Sequence, residues 1–185
     1  MIRYRTENCV MFYQSREPFG GLSNMAGGYP IQLGEFTIRT SEHLYQAMRY
    51  PDHPDVQLAI IDIASPLRAK QYAHQHLHLG RPDWYEIKSD VMAWCLELKA
   101  CNVSFRTLLE TTGKHDIVEA SPNDNYWGAV PAGDGMRIGW NTLGRLLWLL
   151  RRRLEIALPP DFRTSVIDIP RFRFAGEDAV ALAIA

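Results

Sequence analysis

Cysteine is scarce in this 185-residue chain: only Cys9, Cys95 and Cys101 are present. The odd number and the spacing match no disulfide framework and no zinc or redox motif, so the three read as buried or idle thiols in a reducing compartment. Long apolar runs are missing as well. None reaches the roughly 18 residues that a membrane span needs, and the first residues, MIRYRTENCV, lack the apolar centre of a signal peptide. The expectation is a cytoplasmic protein with no membrane contact. There is no excess of either charge: 20 Lys and Arg stand against 21 Asp and Glu, for a net charge of -1. Extended contact with a phosphate backbone is thereby disfavoured, while a pocket for one nucleotide or one flipped base is not. The densest basic run, Arg151 to Arg153, suits the negative end of a helix dipole. The chain has no internal repeat, no low-complexity linker, no nucleophile elbow, no phosphate-binding P-loop and no dinucleotide fingerprint.

What is present is an ordinary globular composition, 46% hydrophobic and 22% charged, of a length that fits one core. Short strands are expected at Val10 to Tyr13, Tyr29 to Leu33 and Phe36 to Ile38, between glycine-bearing turns. Helices dominate the next hundred residues or so. One runs from a Ser41 N-cap to about Tyr50, where Pro51 stops it, and a second covers Pro54 to Ile63. A third, capped by Ser65 with Pro66 at its first position, reaches about His78. The longest extends from about Pro82 to Cys101, with Trp84, Ile87, Val91, Trp94, Cys95 and Leu98 at helical spacing. A short helix is expected over Phe105 to Thr111, a strand over Ile117 to Glu119, and then a glycine-rich loop. Asn141 stands as N-cap of the last helix, which carries Leu143, Leu146, Leu147, Leu150 and Leu154 on one face and ends at Pro159-Pro160. The pattern amounts to an α+β fold, a helix-dominated single domain around a small β-sheet. It covers residues 1–160, with 161–185 as a C-terminal extension. The extension is part of the same unit or an arm, and its alternation Val166-Ile167-Asp168-Ile169 is an edge strand or an ordered arm.

Three segments carry candidate chemistry. In SEHLYQAMR, Glu42, Tyr45, Gln46 and Arg49 fall at i, i+3, i+4 and i+7, on one helix face. Pattern alone favours a solvated face. The same carboxylate, phenol, amide and guanidinium also suit a ribose and a water. In NDNYWG, Asp124 precedes Tyr126, Trp127 and Gly128, an aromatic pair that either plugs the core or stacks on a ligand. The glycine-rich loop after it, entering a capped helix at Asn141, is a generic anion site. In GGLSNM, Ser23 and Asn24 either bond a ribose or phosphate or close a turn. His74, His76 and His78 lie close together, but no third ligand stands at a familiar interval, so no metal is assigned.

Taken in order, GGLSNM, TSEHLYQAMRY, DWYEIKSDVM, DNYWG and GWNTLG resemble the NADAR family, named for NAD and ADP-ribose, which includes the YbiA-like N-glycosidases. The resemblance covers about residues 10 to 157. Family members carry G-x-x-SNF, TSEH-x-x-QA-x-KF, a Trp opening a long helix, D-x-YWG and G-x-N-x-LG. Here Met25 replaces an aromatic, Arg49-Tyr50 stands for Lys-Phe, and the loop AVPAGDGMRIGW is longer than in the riboflavin-pathway type.

The resemblance implies hydrolysis of an N-glycosidic bond without metal or organic cofactor. Glu42 would be the carboxylate beside the ribosyl cation and Asp124 the second carboxylate, orienting water or ribose hydroxyls. Trp84 would stack on the base. Ser23, Asn24, Tyr45, Gln46, Arg49, Tyr126, Trp127, Gly128 and Asn141 would contact substrate. The longer loop and Arg49 point to ADP-ribose on a base such as guanine in nucleic acid, which would pair the protein with an ADP-ribosyltransferase. A nucleotide-type phosphoribosyl intermediate of riboflavin synthesis is the alternative. Two further alternatives stand: a module that binds ADP-ribose or NAD without cutting it, and a structural or toxin-partner protein whose tail mediates assembly.

Overall fold

The computed structural model of the chain describes residues 1–156 and 167–184. They form strands β1 (Ile2–Arg5), β2 (Cys9–Phe12), β3 (Ile31–Leu33), β4 (Phe36–Ile38), β5 (Asp116–Glu119), β6 (Val130–Pro131), β7 (Met136–Gly139), β8 (Arg173–Phe174) and β9 (Glu177–Asp178). The helices are α1 (Ser41–Ala47), α2 (Pro54–Asp62), α3 (Pro66–Gln75), α4 (Trp84–Lys99), α5 (Val103–Glu110), α6 (Thr142–Ile156) and α7 (Ala179–Ile184). The fold is α+β, as the sequence pattern implies. The strands, however, do not join in one small sheet. Among the described residues they form one three-stranded sheet, β1-β7-β6, and three separate pairs. None of the described helices is long and apolar enough to cross a membrane.

The chain divides into two compact units. The first comprises Met1–Ala26 and Val103–Phe162, and the second Gly27–Asn102 and Arg163–Ala185.

In the first unit β2 and β5 pair in parallel, Val10 opposite Ile117 and Phe12 opposite Glu119, and α6 packs on β5. Gly144 permits that approach, because a Cβ there would strike the Ile117 carbonyl. Arg151 corrects the expectation of a purely dipolar basic run. Its guanidinium is buried and donates to Thr112 Oγ1 at 2.5 Å and to the His115 carbonyl at 3.0 and 3.1 Å, fixing the turn between α5 and β5. The glycine-rich segment after residue 128 is also not an open loop. It is the hairpin β6–β7, turning through Gly133, Asp134 and Gly135 at positive φ, with β7 antiparallel to β1.

In the second unit α1 is packed by α2, α3, α4 and β4. The C-terminal segment belongs here, and residues 167–169 are not a strand. Val166 lies outside the described residues. Nearer the C-terminus the chain forms the β8–β9 pair and α7. Phe172 meets Trp94 edge to face with centroids 4.9 Å apart, and Phe174 meets Phe36 at 5.3 Å. Gln57 donates to the Arg173 carbonyl at 2.9 Å and accepts from the Ala175 N–H at 2.8 Å, and Gly34 N donates to the Leu182 carbonyl.

Candidate active site

The site begins with how α1 is held. Its N-cap is Thr40, one residue earlier than expected, whose hydroxyl accepts from His43 N. His43 is a core histidine with both ring nitrogens engaged. Nε2–H donates to the Ile63 carbonyl at 2.8 Å, which leaves Nδ1 to accept from the Thr40 hydroxyl at 2.7 Å. Burial lowers its pKa, in keeping with a neutral ring. The imidazole thus ties the start of α1 to the end of α2.

The polar face of α1 is not solvated, contrary to its pattern. Every residue from Ser41 to Ala47 is buried, Glu42 at 5% exposure and Gln46 at 2%. Packing on several sides by other elements overrides the two-faced reading of an isolated helix. Gln46 Nε2 donates to Glu42 Oε1 at 2.8 Å. Burial raises the Glu42 carboxyl pKa, against the pull of the Lys70 charge, the Gln46 hydrogen bond and the Arg49 charge. The Gln46 amide oxygen and Arg49 Nε are buried and reach no hydrogen-bond partner. A polar ligand beside the desolvated carboxylate would supply the partners that these two atoms lack.

Arg49 lies just past the end of α1. Its guanidinium carbon sits 4.8 Å from the centre of the Trp84 ring, and Tyr45 packs on the same indole at 4.9 Å between centroids. Trp84 is 3% exposed, so the base-stacking surface expected of it has no open face here. Its placement as the first residue of α4 satisfies the apolar stripe instead. Arg81 binds this corner together. Its N–H donates to the Arg49 carbonyl, and its guanidinium forks onto Asp83 at 2.6 and 2.8 Å while also donating to the Pro170 carbonyl at 2.8 Å.

The remaining expected residues lie in the first unit. Ser23 Oγ accepts from Met25 N, closing its turn, and both Ser23 and Asn24 are buried. Asp124 is exposed, and its Oδ1 accepts from Tyr126 N and Trp127 N at 2.9 Å each, shaping the loop. Tyr126 and Trp127 meet edge to face at 5.1 Å. Their carbonyls accept from Thr142 N and Leu143 N, and the Gly128 carbonyl accepts from Asn141 N. The first N–H groups of α6 are therefore spent on the loop, and the expected anion site at this helix start is not available. Gly128 is required by packing: a Cβ would come 2.6 Å from the Glu119 carbonyl. Asn141 occupies the N-cap position at φ 48, but its amide faces β5, accepting from Glu119 N at 3.1 Å and donating to the Ile117 carbonyl at 2.8 Å. The hairpin also uses N–H groups that were expected to face a diphosphate. Ala132 N donates to the Met136 carbonyl and Met136 N to the Gly133 carbonyl.

Two lysines carry no clear signal in the sequence. Lys70 on α3 is the strongest charge acting on Glu42, and its only mark is a place between Pro66 and His74 on a helix. Lys99 is fully buried on α4, with Nζ 5.2 Å from the centre of the Tyr29 ring, and burial lowers its pKa to about 7. It lies one helical turn from Cys95, whose thiol feels the Glu42 charge. A Lys in the last turn of a helix reads as a dipole partner, which hid it.

A family model described as NADAR domain matches residues 11–155. The chain belongs to the NADAR domain family. N-glycosidase YbiA of Escherichia coli strain K12 is 32% identical over 151 residues, 81% of this chain and 91% of that protein. The chloroplastic riboflavin biosynthesis protein PYRR of Zea mays is 33% identical over 177 residues, 87% of this chain but 27% of the maize protein. The NMR structure of E. coli YbiA matches with a TM-score of 0.69 at 32% identity, over 82% of this chain and 87% of that one. Of the NADAR elements, TSEHLYQAMRY and the Trp84 helix fall in the second unit, and GGLSNM, DNYWG and GWNTLG in the first.

Proposed function

We propose that this NADAR domain is an N-glycosidase that hydrolyses a ribosyl–nitrogen bond, with Glu42 as its working carboxylate. One observation carries the reading: Glu42 is buried, held by Gln46 through one oxygen, and set among the charges of Lys70 and Arg49. Breaking the C1′–N bond leaves its electron pair on the base nitrogen and positive charge on the ribose ring. A fixed carboxylate stabilises that charge and takes a proton from the water that attacks C1′. Burial makes Glu42 a stronger base than an exposed carboxylate, which suits that second task. The unpartnered Gln46 oxygen is an acceptor for a ribose hydroxyl. Arg49, held on Trp84, and Lys70 supply positive charge for phosphate. For Asp124, in the first unit, the role of second carboxylate that the family resemblance implies would fall to Oδ2, since Oδ1 serves the loop. Ser23, Asn24, Tyr126, Trp127 and Asn141 act as framework for substrate contacts.

The finer proposal is that the leaving group is a base such as guanine and the sugar part is ADP-ribose. Two cations near one carboxylate support a diphosphate, whereas the hairpin N–H groups no longer do. The second reading is a phosphoribosylamino-pyrimidine of riboflavin synthesis, favoured by the name of the maize relative. Competing an ADP-ribosylated guanine oligonucleotide against that pyrimidine in one reaction, with products separated by chromatography, distinguishes them. Faster release of ADP-ribose is expected. Faster cleavage of the pyrimidine overturns the finer proposal, and binding of both without cleavage overturns the enzyme.

A further inference from the structure

The first unit holds a cavity that shares one lining residue, Asn141, with the framework of the proposed function and none with its carboxylates. It measures about 260 Å³ and opens between β1, the start of β5 and the outer face of α6. Ile2, Leu149 and Trp148 give it apolar walls, and Tyr4, Asp116 and Arg145 give it polar groups. Trp148 and Leu149 are exposed at 37% and 55%. The Tyr4 hydroxyl is buried beside the Asn141 amide without a well-formed hydrogen bond. The neighbouring Asn141 amide is already committed to β5. A buried hydroxyl without a well-formed bond is costly to the fold, and a ligand acceptor would relieve it.

We propose that this cavity is a second binding site, for a nucleobase or mononucleotide. The chemistry selects the class. A flat heterocycle fits against the Trp148 indole. Its ring or carbonyl acceptor takes the Tyr4 hydroxyl proton, and its amino edge donates to the Asp116 carboxylate. Arg145 offers donors to a carbonyl or phosphate, and Arg152, whose guanidinium carbon lies 6.0 Å from the Trp148 ring, adds positive charge outside. An acyl chain would fill the apolar walls but leave all three polar groups unmatched. The volume is below the roughly 300–1,000 Å³ of drug-sized sites, which suits one base and excludes a whole dinucleotide. Glu42, Gln46 and Arg49 are not among its lining residues, and the proposal does not rest on the proposed reaction.

The test is a titration of the full chain, labelled with nitrogen-15, by guanosine monophosphate and adenosine monophosphate, with decanoate as apolar probe. The Trp148 indole N–H signal is assigned by its loss in Trp148→Leu. Saturable movement of that signal with a nucleotide, and not with decanoate, is expected. Tyr4→Phe should weaken binding at least threefold while leaving the melting temperature unchanged or higher, since the hydroxyl makes no well-formed hydrogen bond in the fold. Movement confined to other indoles, movement with decanoate alone, or unchanged affinity in Tyr4→Phe overturns the proposal.

Discussion

Gln46 reaches back one helical turn to place its amide N–H on Glu42 Oε1 at 2.8 Å. The bond holds one carboxylate oxygen of a side chain that packing has withdrawn from water. Glu42 is therefore costly to the fold when ionised, and its replacement tests function against stability. Its folded pKa is raised, so the stability it contributes is full below its unfolded pKa and is lost as pH rises through the folded one. Glu42→Gln should lower turnover by about a hundredfold or more and raise the melting temperature at neutral pH. The gain should vanish in acid, where both side chains are neutral. Melting curves of the two proteins between pH 4 and 8, beside base-release assays, check this. Equal melting temperatures across that range would contradict the burial argument, and turnover within a few-fold of wild type would remove Glu42 from the reaction.

Trp84 supports Arg49 and is itself buried, so truncation should harm the fold and the site together. Trp84→Ala is expected to cost about 3–5 kcal/mol of stability. Trp84→Phe keeps a ring under the guanidinium and should cost less while raising KM more than it lowers kcat. Denaturant melts and steady-state kinetics on both variants give the comparison. A normal KM in a destabilised Trp84→Ala protein would leave Trp84 a purely structural role.

Lys99 adds a pH dependence of the opposite sense. Its folded pKa, about 7, lies below the ordinary value of 10.5. The stability associated with its neutral form is present above 10.5 and falls away as pH drops towards 7. Over that window wild type should lose up to about 1.4 kcal/mol per pH unit relative to Lys99→Met. Urea unfolding of both proteins at several values between pH 7 and 10 measures the difference. Parallel stability curves would mean that the amine stays charged in the fold.

The C-terminal segment is expected to be indispensable to the second unit, although the NADAR match ends at residue 155. Ending the chain at residue 166 removes buried Ile169, Phe172 and Phe174. Each such side chain contributes about 1.5–3 kcal/mol, so their sum rivals the whole stability of a typical domain. The shortened chain should lose its cooperative melt by circular dichroism. A melting temperature within about 5 °C of the full chain would show the segment to be an accessory arm.

Local chemistry made much of this protein legible. Pro54, the Ser65 cap with Pro66, and the Trp84 to Leu98 stripe mark helices through backbone geometry and apolar spacing that act within one or two turns. The Phe36 to Ile38 strand and the stretch before Glu119 are equally local. The five short motifs likewise placed the chain in its family without reference to contacts.

Partners distant in sequence decided the rest. The alternation in Met136 to Ile138 becomes a strand because β1, more than a hundred residues earlier, pairs with it. Asn141 stands where a cap belongs, yet β5 claims its amide, and the YWG carbonyls occupy the helix start that was expected to bind an anion. A carboxylate and an amide four residues apart on α1 look like a wet face until α2, α3, α4 and β4 close over them. Periodicity reports which residues share a face, but not what that face meets. Burial of Glu42 and Lys99, and with it their shifted proton affinities, is a property of the assembled packing alone.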